Sequence, residues 1–379
     1  MSKYTLKELL NEINDKTTVN NQYEVLTSSQ NGIVSQADYF KKNISSTDNT
    51  GYKIIKKGQF TYRSMSDTGY FYINLLSDRE IGIVSPAYPV FEIKNEMKEK
   101  VLTEYLALFF KTNYFMEQTK KYAKGSTRLS LKFKQIINVE IEVPEIDEQR
   151  KIVEKISNIN KASMCLKNTY SKLNELLNSL FENAIINNNV SYTKFKDLII
   201  GKPEYGIGES AIESDEVDVR YVRITDIDEN GDLVAKKVTI ESPYDFDHYL
   251  LSEGEIIFAR TGATVGKTYL YNPNDGKCLY AGYLIRFVLN SDLVNPYYIK
   301  QFTRTHEYWN WVNLSAKVGT QPNINAQQYS DLLMPVINKN AQDEFAKTFK
   351  NVENMKKNIV EQMEQLNNLT NSYMNEYYS

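Results

Sequence analysis

The longest regular pattern of apolar positions in the chain lies in residues 146–186. Apolar side chains recur at alternating steps of four and three, and the series is Ile152, Ile156, Ile159, Ser163, Leu166, Tyr170, Leu173, Leu177, Leu180 and Ala184. Only Ser163 is polar, and neither proline nor glycine occurs between residues 145 and 200. A sustained heptad of this kind predicts a coiled-coil helix. The alternative is a helix that packs into a globular core.

A second heptad covers residues 339–379. Apolar side chains follow at intervals of seven, with others beside them, at Phe345, Val352, Ile359, Leu366 and Tyr373, flanked by Phe349, Met363 and Tyr377. Polar residues at Lys356 and Thr370 weaken this seam. Two helices of about forty residues, each about 60 Å long at ~1.5 Å per residue, most simply pair with each other. A pseudo-twofold relation would make the pair antiparallel, with one globular domain at each end.

The rest of the chain repeats itself once, in a constant order. The matched segments are YTLKELL (4–10) with YTKFKDLI (192–199), GQFTYRS (58–64) with GEIIFAR (254–260), SPAYPVFEI (85–93) with AGYLIRFVL (281–289), VLTEYLALFFKTNYF (101–115) with LVNPYYIKQFTRTHEYW (293–309), KGSTRLS (124–130) with KVGTQPNIN (317–325), and EVPEIDEQRKI (142–152) with LMPVINKNAQDEF (333–345). A repeat kept in order predicts two copies of one structural unit. Pro144 matches Pro335, and Gln149 matches Gln342.

Each copy has the composition of an α+β domain. Strand-like runs rich in Ile, Val, Tyr and Phe include GQFTYRS, EIIFAR, KTYLY and CLYAGYLIRFV, and the helical segments are VLTEYLALFFKTNYFMEQT and the run from NPYYIKQF. We therefore expect an α+β fold with two globular domains, joined and separated by two long helices in an antiparallel coiled coil. The expected boundaries are a first domain at 1–145, a central helix at 146–190, a second domain at 191–338 and a C-terminal helix at 339–379.

Charge is nearly balanced overall but uneven along the chain. The net charge is −3, with 20 Lys and Arg against 17 Asp and Glu in residues 1–145, and 14 against 20 in residues 191–338. Residues 111–134 hold seven basic side chains and one acidic side chain, which is a local basic patch. Two widely separated cysteines indicate a reducing compartment. The sequence contains no signal-peptide core and no membrane span, so we expect a cytoplasmic protein without a membrane partner.

The stretch RTGATVGKT (260–268) resembles a phosphate-binding loop. That loop needs the spacing G-x-x-x-x-G-K-[ST], so that successive backbone N–H groups surround a phosphate. Here Gly266 would be the second glycine, and Thr261 stands where the first is required. The alternative is a tight turn between the strand-like runs EIIFAR and KTYLY, and we favour it.

Other catalytic motifs in the sequence are equally weak. NPYY (295–298) lacks the second proline of the adenine-methyltransferase motif, and Asn295 followed by Pro296 is typical of a helix start. The tripeptide at 92–94 matches a nuclease [DE]-x-K step, but so do many chance tripeptides. The two histidines, His248 and His306, are far apart in sequence, which disfavours zinc or histidine chemistry. We expect a chain that is not itself an enzyme.

These features together resemble the DNA specificity subunit of Type I restriction–modification systems. The resemblance is carried by GEIIFARTGATVGKTYLY (254–271), AGYLIRFVLNSDLVNPYYIKQF (281–302), GTQPNINAQQYSDLLMPV (319–336) and KGSTRLSLKFKQIINVEIEVPEIDEQRKI (124–152). It covers nearly the whole chain. The first copy departs from the pattern, because TYRSMSDTGYFYI replaces FARTGATVGK and GSTRLSL replaces GTQPNI.

The resemblance implies a non-catalytic protein that selects a double-stranded DNA sequence. Each recognition domain would read one half of a gapped target, and two partner modification subunits would methylate adenine. S-adenosylmethionine would be bound by those partners, so no cofactor is expected in this chain, and translocase–nuclease subunits would join for restriction. The alternatives are the specificity component of a related methyltransferase or nuclease system without a translocase, a coiled-coil protein scaffold, and an enzyme whose site has no recognisable motif.

Candidate DNA contacts follow from the chemistry of base edges and phosphates. Arg and Lys bind guanine or phosphate, and Asn and Gln pair with adenine. In the first copy the candidates are Arg63, Lys124, Ser126, Thr127 and Arg128. In the second copy they are Arg260, Thr261, Thr264, Lys267, Lys317, Thr320, Gln321 and Asn323. The alternative for each residue is a solvated loop or turn position. No metal site is expected.

Overall fold

The computed structural model describes residues 1–39, 48–125, 128–214, 216–316 and 322–378. The chain divides into two units. Unit 1 comprises Met1–Leu166 and Glu361–Ser379, and unit 2 comprises Lys167–Val360. Both long helices therefore contribute residues to both units. No helix in the described ranges is long and apolar enough to span a membrane.

Short strands and helices alternate ahead of the first long helix. The strands are β1 (Ser2–Thr5), β2 (Leu10–Ile13), β3 (Leu26–Ser29), β4 (Gly32–Ser35), β5 (Lys53–Lys56), β6 (Phe60–Thr61), β7 (Met65–Ser66), β8 (Asn74–Leu75), β9 (Ile81–Val84), β10 (Val90–Ile93), β11 (Leu129–Ser130) and β12 (Glu140–Val143). The helices are α1 (Leu6–Leu9), α2 (Gln36–Tyr39), α3 (Thr103–Phe109), α4 (Asn113–Tyr122), α5 (Phe133–Ile136) and the long α6 (Ile146–Ile186), with a 3-10 turn at Asn95–Met97.

The second half of the chain has a similar order of elements. Its strands are β13 (Ser191–Lys194), β14 (Ile199–Tyr205), β15 (Val219–Val222), β16 (Glu255–Ala259), β17 (Thr268–Leu270), β18 (Lys277–Tyr280), β19 (Leu284–Leu289) and β20 (Leu333–Val336). Its α-helices are α7 (Pro296–Phe302), α8 (His306–Ser315), α9 (Ala326–Ser330) and the long α10 (Lys339–Tyr378). Its 3-10 helices are Phe195–Leu198, Ile224–Asp226, Pro243–Tyr249, Gly262–Thr264 and Pro273–Asp275.

Corresponding four-stranded sheets form the centre of the two units. The strand order is β2-β10-β6-β8 in unit 1 and β14-β19-β16-β17 in unit 2, and all of these pairings are antiparallel. In each unit the opening strand also pairs with the strand that precedes a long helix, with register Ser2↔Val143 in one and Ser191↔Val336 in the other. The predicted α+β class is confirmed.

A buried glutamine gives the clearest evidence that the two units repeat one design. The Oε1 atom of Gln149 accepts from the N–H of Leu102 at 2.8 Å, and its Nε2 donates to Lys100 O and Pro144 O at 2.7 and 2.8 Å. Gln342 makes the matching bonds to Asn295 N, Leu293 O and Ile337 O at 2.8, 3.3 and 2.8 Å. Every residue of the second set lies 193 positions after its counterpart, so the structural counterpart of Pro144 is Ile337 and not Pro335, which the sequence alignment had matched to it.

Other contacts follow the same offset of 193. The hydroxyl of Tyr105 donates to Glu142 O at 3.1 Å, and that of Tyr298 donates to Pro335 O at 2.9 Å. Thr112 caps α4 by accepting from an amide three residues ahead, as Thr305 does for α8. The internal repeat predicted from sequence is therefore present at the level of single hydrogen bonds.

The two long helices pair antiparallel within each unit. In unit 1, the Lys155 Nζ atom lies 2.9 Å from the hydroxyl of Tyr377. In unit 2, the rings of Phe181 and Phe345 are 5.5 Å apart, and Lys356 lies 5.0 Å above Tyr170. Every predicted seam position of α6 is buried or half-buried. The predicted antiparallel coiled coil is confirmed, and its ends also join the globular cores.

The two polar positions in the second heptad have specific partners. Lys356 is only 3% exposed, and its ammonium group lies 2.8 Å from Glu353 Oε1. Burial lowers the pKa of this lysine below its ordinary value. Thr370 is half-buried and donates its hydroxyl to Leu366 O at 2.9 Å. These contacts explain how a heptad with polar interruptions continues as one helix.

Candidate nucleic-acid interface

The glycine-containing stretch in unit 2 is a turn between two strands. Strands β16 and β17 pair antiparallel with Phe258 opposite Thr268, and Gly262 and Gly266 adopt φ values of +75° and +89°. The amide of Gly266 donates to Ala259 O at 2.9 Å, which closes the turn. A phosphate-binding loop would lead into a helix, whose N-terminal amides bind the anion. The predicted strand–turn–strand is confirmed.

A second loop of unit 2 lies directly against this turn. The amide of Gly262 donates to Pro322 O at 3.1 Å, and that of Ile324 donates to Arg260 O at 2.8 Å. Thr261 and Asn323 form an antiparallel bridge. The fold thus brings together three candidates that are about sixty residues apart in sequence. Lys317, Thr320 and Gln321 precede Asn323 but lie outside the described residues.

Tyrosines surround Arg260. Its guanidinium carbon lies 4.7 Å from the ring centre of Tyr205, and Tyr283, whose carbonyl accepts from the Arg260 amide at 3.0 Å, is 62% exposed. The Nε atom of Arg260 is buried and has no hydrogen-bond partner in the described part of the chain. Stacking on Tyr205 holds the guanidinium plane of Arg260 in one orientation.

The other two candidates of the turn have partners within the protein. The Lys267 ammonium lies 2.8 Å from Glu229 Oε1 and 3.2 Å from Ile227 O, and its side chain is 14% exposed. This lysine therefore points towards the loop around residue 228, and a phosphate would have to compete with Glu229. Thr264 is half-buried, and its hydroxyl lies 3.5 Å from Thr261 O.

Unit 1 brings its two candidate segments together in the same way. The amide of Leu131 donates to Ser64 O at 2.9 Å, as Ile324 does to Arg260 O in unit 2. Strands β7 and β11 also pair, which places Arg63 near the turn that holds Lys124 and Arg128. Both Arg63 and Lys124 are exposed. Ser126 and Thr127 lie outside the described residues.

An ion pair currently engages Arg128. Its Nε and Nη2 atoms lie 2.6 and 3.3 Å from the two carboxylate oxygens of Asp67. The hydrogen bond from this guanidinium lowers the pKa of the Asp67 carboxyl. Both side chains are exposed, so solvent weakens the pair and a phosphate can compete for the arginine.

Exposed aromatic rings line a pocket of about 290 Å³ beside Arg63. Tyr70 and Tyr72 stack with ring centres 6.5 Å apart, and the Lys120 ammonium lies 5.6 Å above Tyr70. Sequence reasoning missed these tyrosines. The alternation in TGYFY was an available signal, because Phe71 is 1% exposed while Tyr70 and Tyr72 are 45% and 37% exposed.

Each unit therefore presents a loop junction with exposed tyrosine faces and at least one cationic side chain. Arginine and lysine suit phosphates and guanine edges, amides suit adenine, and tyrosine faces stack on bases or sugars. In the described ranges, no group of three or more His, Cys, Asp or Glu residues is placed to hold a metal ion. The arrangement can bind and orient a nucleic acid.

Comparisons with known proteins agree with this geometry. Residues 2–177 match the family model for the Type I restriction modification DNA specificity domain. A search of curated protein sequences finds no match. The crystal structure of a Type I restriction-modification system S subunit from M. genitalium is 10% identical, with a TM-score of 0.60 over 100% of this chain and 96% of that chain.

A second solved chain comes from work on complex assembly and conformational transition of the type I R-M system. It is 14% identical to this chain, covers 99% of it and 97% of its own length, and has a TM-score of 0.54. Likeness at these identities shows a shared fold along the full chain. Residues 2–177 thus match the family model for the Type I restriction modification DNA specificity domain, and across both units the chain shares the fold of a solved S subunit.

Proposed function

We propose that this chain is the DNA specificity subunit of a Type I restriction–modification complex. Unit 1 and unit 2 would each read one half of a gapped double-stranded target. The chain would do no chemistry of its own. Two partner modification subunits would bind S-adenosylmethionine and methylate adenine, and translocase–nuclease subunits would join the complex for restriction. The complex would act in the cytoplasm.

One observation carries this proposal, namely the same loop junction in both units. Ser64 and Arg260 occupy equivalent edge positions, and each accepts an amide hydrogen bond from the second loop of its own unit. A folding requirement alone explains the hydrogen bonds. It does not explain why exposed tyrosines and cationic side chains lie beside the junction both times, and exposed aromatic residues that cluster in this way are typical of a binding surface.

The charge distribution supports shared binding with partner subunits. Counterion release drives most non-specific DNA affinity, and it scales with the number of Lys and Arg side chains at the phosphates. This chain has a net charge of −3, and residues 191–338 have six more acidic than basic side chains. We expect weak DNA binding by the isolated chain and tight binding after the modification subunits join.

The decisive experiment maps methylated adenines in cells with the intact gene, without it, and with loop variants. Deletion should abolish methylation at a gapped, two-part motif. The double variant Arg260→Ala with Asn323→Ala should relax or lose one half of that motif and keep the other. Arg63→Ala should affect the opposite half. Lys237→Ala is the matched control, because this exposed lysine lies in unit 2 and is in neither loop segment.

The outcomes separate the competing functions. Methylation that is unchanged on deletion would contradict a specificity role and favour a coiled-coil scaffold. Adenine methylation by the purified chain with S-adenosylmethionine alone would show that the chain is an enzyme. Loss of both half-sites in the Arg260 and Asn323 variant, with the fold intact, would contradict one half-site per unit.

A further inference from the structure

A pocket of about 230 Å³ in unit 1 lies where the α3–α4 corner meets the two long helices. Leu108, Ile156 and Met374 supply apolar side chains, and Lys111, Asn160 and Asn371 supply polar ones. The described lining contains no acidic residue. Lys111 is exposed, and its ammonium group makes no ion pair or hydrogen bond in the described part of the chain.

The offset of 193 carries this pocket onto a hollow in unit 2. Leu108, Lys111 and Asn160 become Gln301, Arg304 and Glu353, and Asn371 corresponds to Asn178. The unit 2 hollow is smaller, about 150 Å³, and Gln301, Arg304 and Asn178 line it as expected. The helix framework is therefore the same, and the two sites differ in which described residues cover them.

A loop of the chain itself covers the unit 2 hollow. Glu229 and Asn230 are part of its lining, and the guanidinium of Arg304 donates to Asn230 O. Lys300, one helical turn before Arg304, has its ammonium group 2.8 Å from Asp232 Oδ1. Gly231 lies between these contacts with φ +70°, and a Cβ there would be 2.6 Å from Thr268 O. The loop is thus held closely against the sheet and the helix.

The covering loop is acidic. Residues 226–232 read DIDENGD and contain four carboxylates. Glu229 forms an ion pair with Lys267, and Asp232 forms one with Lys300. Between them, the Asn230 carbonyl accepts a hydrogen bond from Arg304. In the described part of unit 1, no loop lines the corresponding pocket, which consists of residues from α3, α4, α6, α10 and the α3–α4 corner alone.

We propose that the unit 1 pocket is a docking site for an acidic loop of a partner protein. That loop would take the place that residues 226–232 take in unit 2, with a carbonyl or carboxylate on Lys111. The amides of Asn160 and Asn371 would bind its backbone, and Ile156 and Met374 would contact its apolar atoms. Nucleic acid fits this pocket less well, because Lys111 is the only cationic residue in the described lining and phosphate recognition requires several.

The test uses the full chain and a labelled peptide with the sequence of residues 225–234 as the probe. Fluorescence anisotropy measures peptide binding to the wild type and to Lys111→Glu, which reverses the charge of the pocket. Lys121→Glu is the matched control, because this exposed lysine of α4 does not line the pocket. Asn371→Asp places a repelling carboxylate on the opposite wall. Thermal unfolding of each variant checks its fold.

We expect the wild type and Lys121→Glu to bind the peptide equally. Lys111→Glu and Asn371→Asp should each weaken binding about tenfold, which corresponds to about 1.4 kcal/mol, because each places a carboxylate against the acidic peptide. Replacing the four acids of the peptide by their amides should weaken binding similarly. Equal binding by Lys111→Glu would overturn the proposal, since the peptide would then be binding elsewhere. The proposal would also be overturned if the wild type did not bind the peptide at millimolar concentration. The same conclusion would follow if Lys111→Glu weakened the binding of duplex DNA and left peptide binding unchanged.

Discussion

The buried glutamine of unit 2 offers a sharp test of how the long helix is fixed to its globular domain. Gln342 is fully buried and binds three backbone groups, namely Asn295 N, Leu293 O and Ile337 O. The variant Gln342→Met keeps the length of the side chain and removes all three bonds. Because no water reaches the site, each backbone group then remains unpaired.

The cost follows from these three groups. A buried donor or acceptor without a partner costs about 1–3 kcal/mol, so three of them give a loss of at least about 3 kcal/mol. Methionine fills most of the glutamine volume, which keeps a cavity term small. With a urea dependence of about 2 kcal/mol per molar, the unfolding midpoint of unit 2 should fall by about 1.5 M.

The two tryptophans of the chain report this transition selectively. Trp309 and Trp311 both lie in α8 of unit 2, so tryptophan fluorescence follows the unfolding of that unit. Gln149→Met is the matched control, because it removes the equivalent three bonds in unit 1. Gln149→Met should lower the urea midpoint of the unfolding transition seen by far-ultraviolet circular dichroism. It should shift the midpoint seen by tryptophan fluorescence less than Gln342→Met does. If Gln342→Met left the fluorescence midpoint within about 0.3 M of the wild type, the hydrogen bonds would not fix the helix as argued.

Three further predictions use the same fluorescence assay. Leu177→Asp should lower the free energy of unfolding by about 3–5 kcal/mol, because Leu177 is 1% exposed and the carboxylate would be buried unpaired. Its control is Leu176→Asp, which should be nearly neutral because Leu176 is 45% exposed. Gly266→Ala should cost about 3 kcal/mol, since its Cβ would lie 2.6 Å from Val312 at φ +89°, whereas Gly276→Ala meets no atom and should cost about 1 kcal/mol. Because burial lowers the pKa of Lys356 below 10.5, the unfolded chain holds that proton more tightly than the folded chain does. Stability from this site therefore rises with pH between the two pKa values, so the wild type should become more stable relative to Lys356→Met as the pH rises towards 10.5. A stability difference that stays constant with pH would contradict this.

The sequence was most informative about the two long helices, because each has a periodic apolar face that packs along the other helix. The heptads of α6 and α10 predicted both helices, because seam residues such as Leu177 and Phe345 are buried for the same reason along the whole length. The internal repeat, through a pseudo-twofold relation, predicted that the two helices pair antiparallel. The start of α7 was also predictable. Asn295 accepts from the Tyr297 amide at 3.0 Å and Pro296 takes the first helical position, which are local requirements.

Features that depend on where side chains point in the folded chain could not be predicted in this way. The run VLTEYLALFFKTNYF suggested continuous helix, but the chain breaks it into α3 and α4, because Thr112 caps the second helix. Lys267 has the residue type of a phosphate ligand, yet its ammonium is directed at Glu229. Tyr205 and Tyr283 escaped notice because only the folded sheet brings them to Arg260. The match of Gln149 with Gln342 was visible in the sequence. The role of the two glutamines could be found only from the positions of the backbone groups that they bind.

The division of the chain into units also constrains the order in which the protein can be built. Unit 2 is one continuous segment, Lys167–Val360, so its parts are all present once that segment has left the ribosome. Unit 1 must wait for residues 361–378, because the Tyr378 hydroxyl donates to Tyr105 O across 273 positions and its ring lies on that of Tyr105. Contacts so distant in sequence form slowly. During synthesis the earlier-made unit is thus the one completed last, and its apolar core, including Ile152 and Ile156, is the surface that chaperones would need to shield.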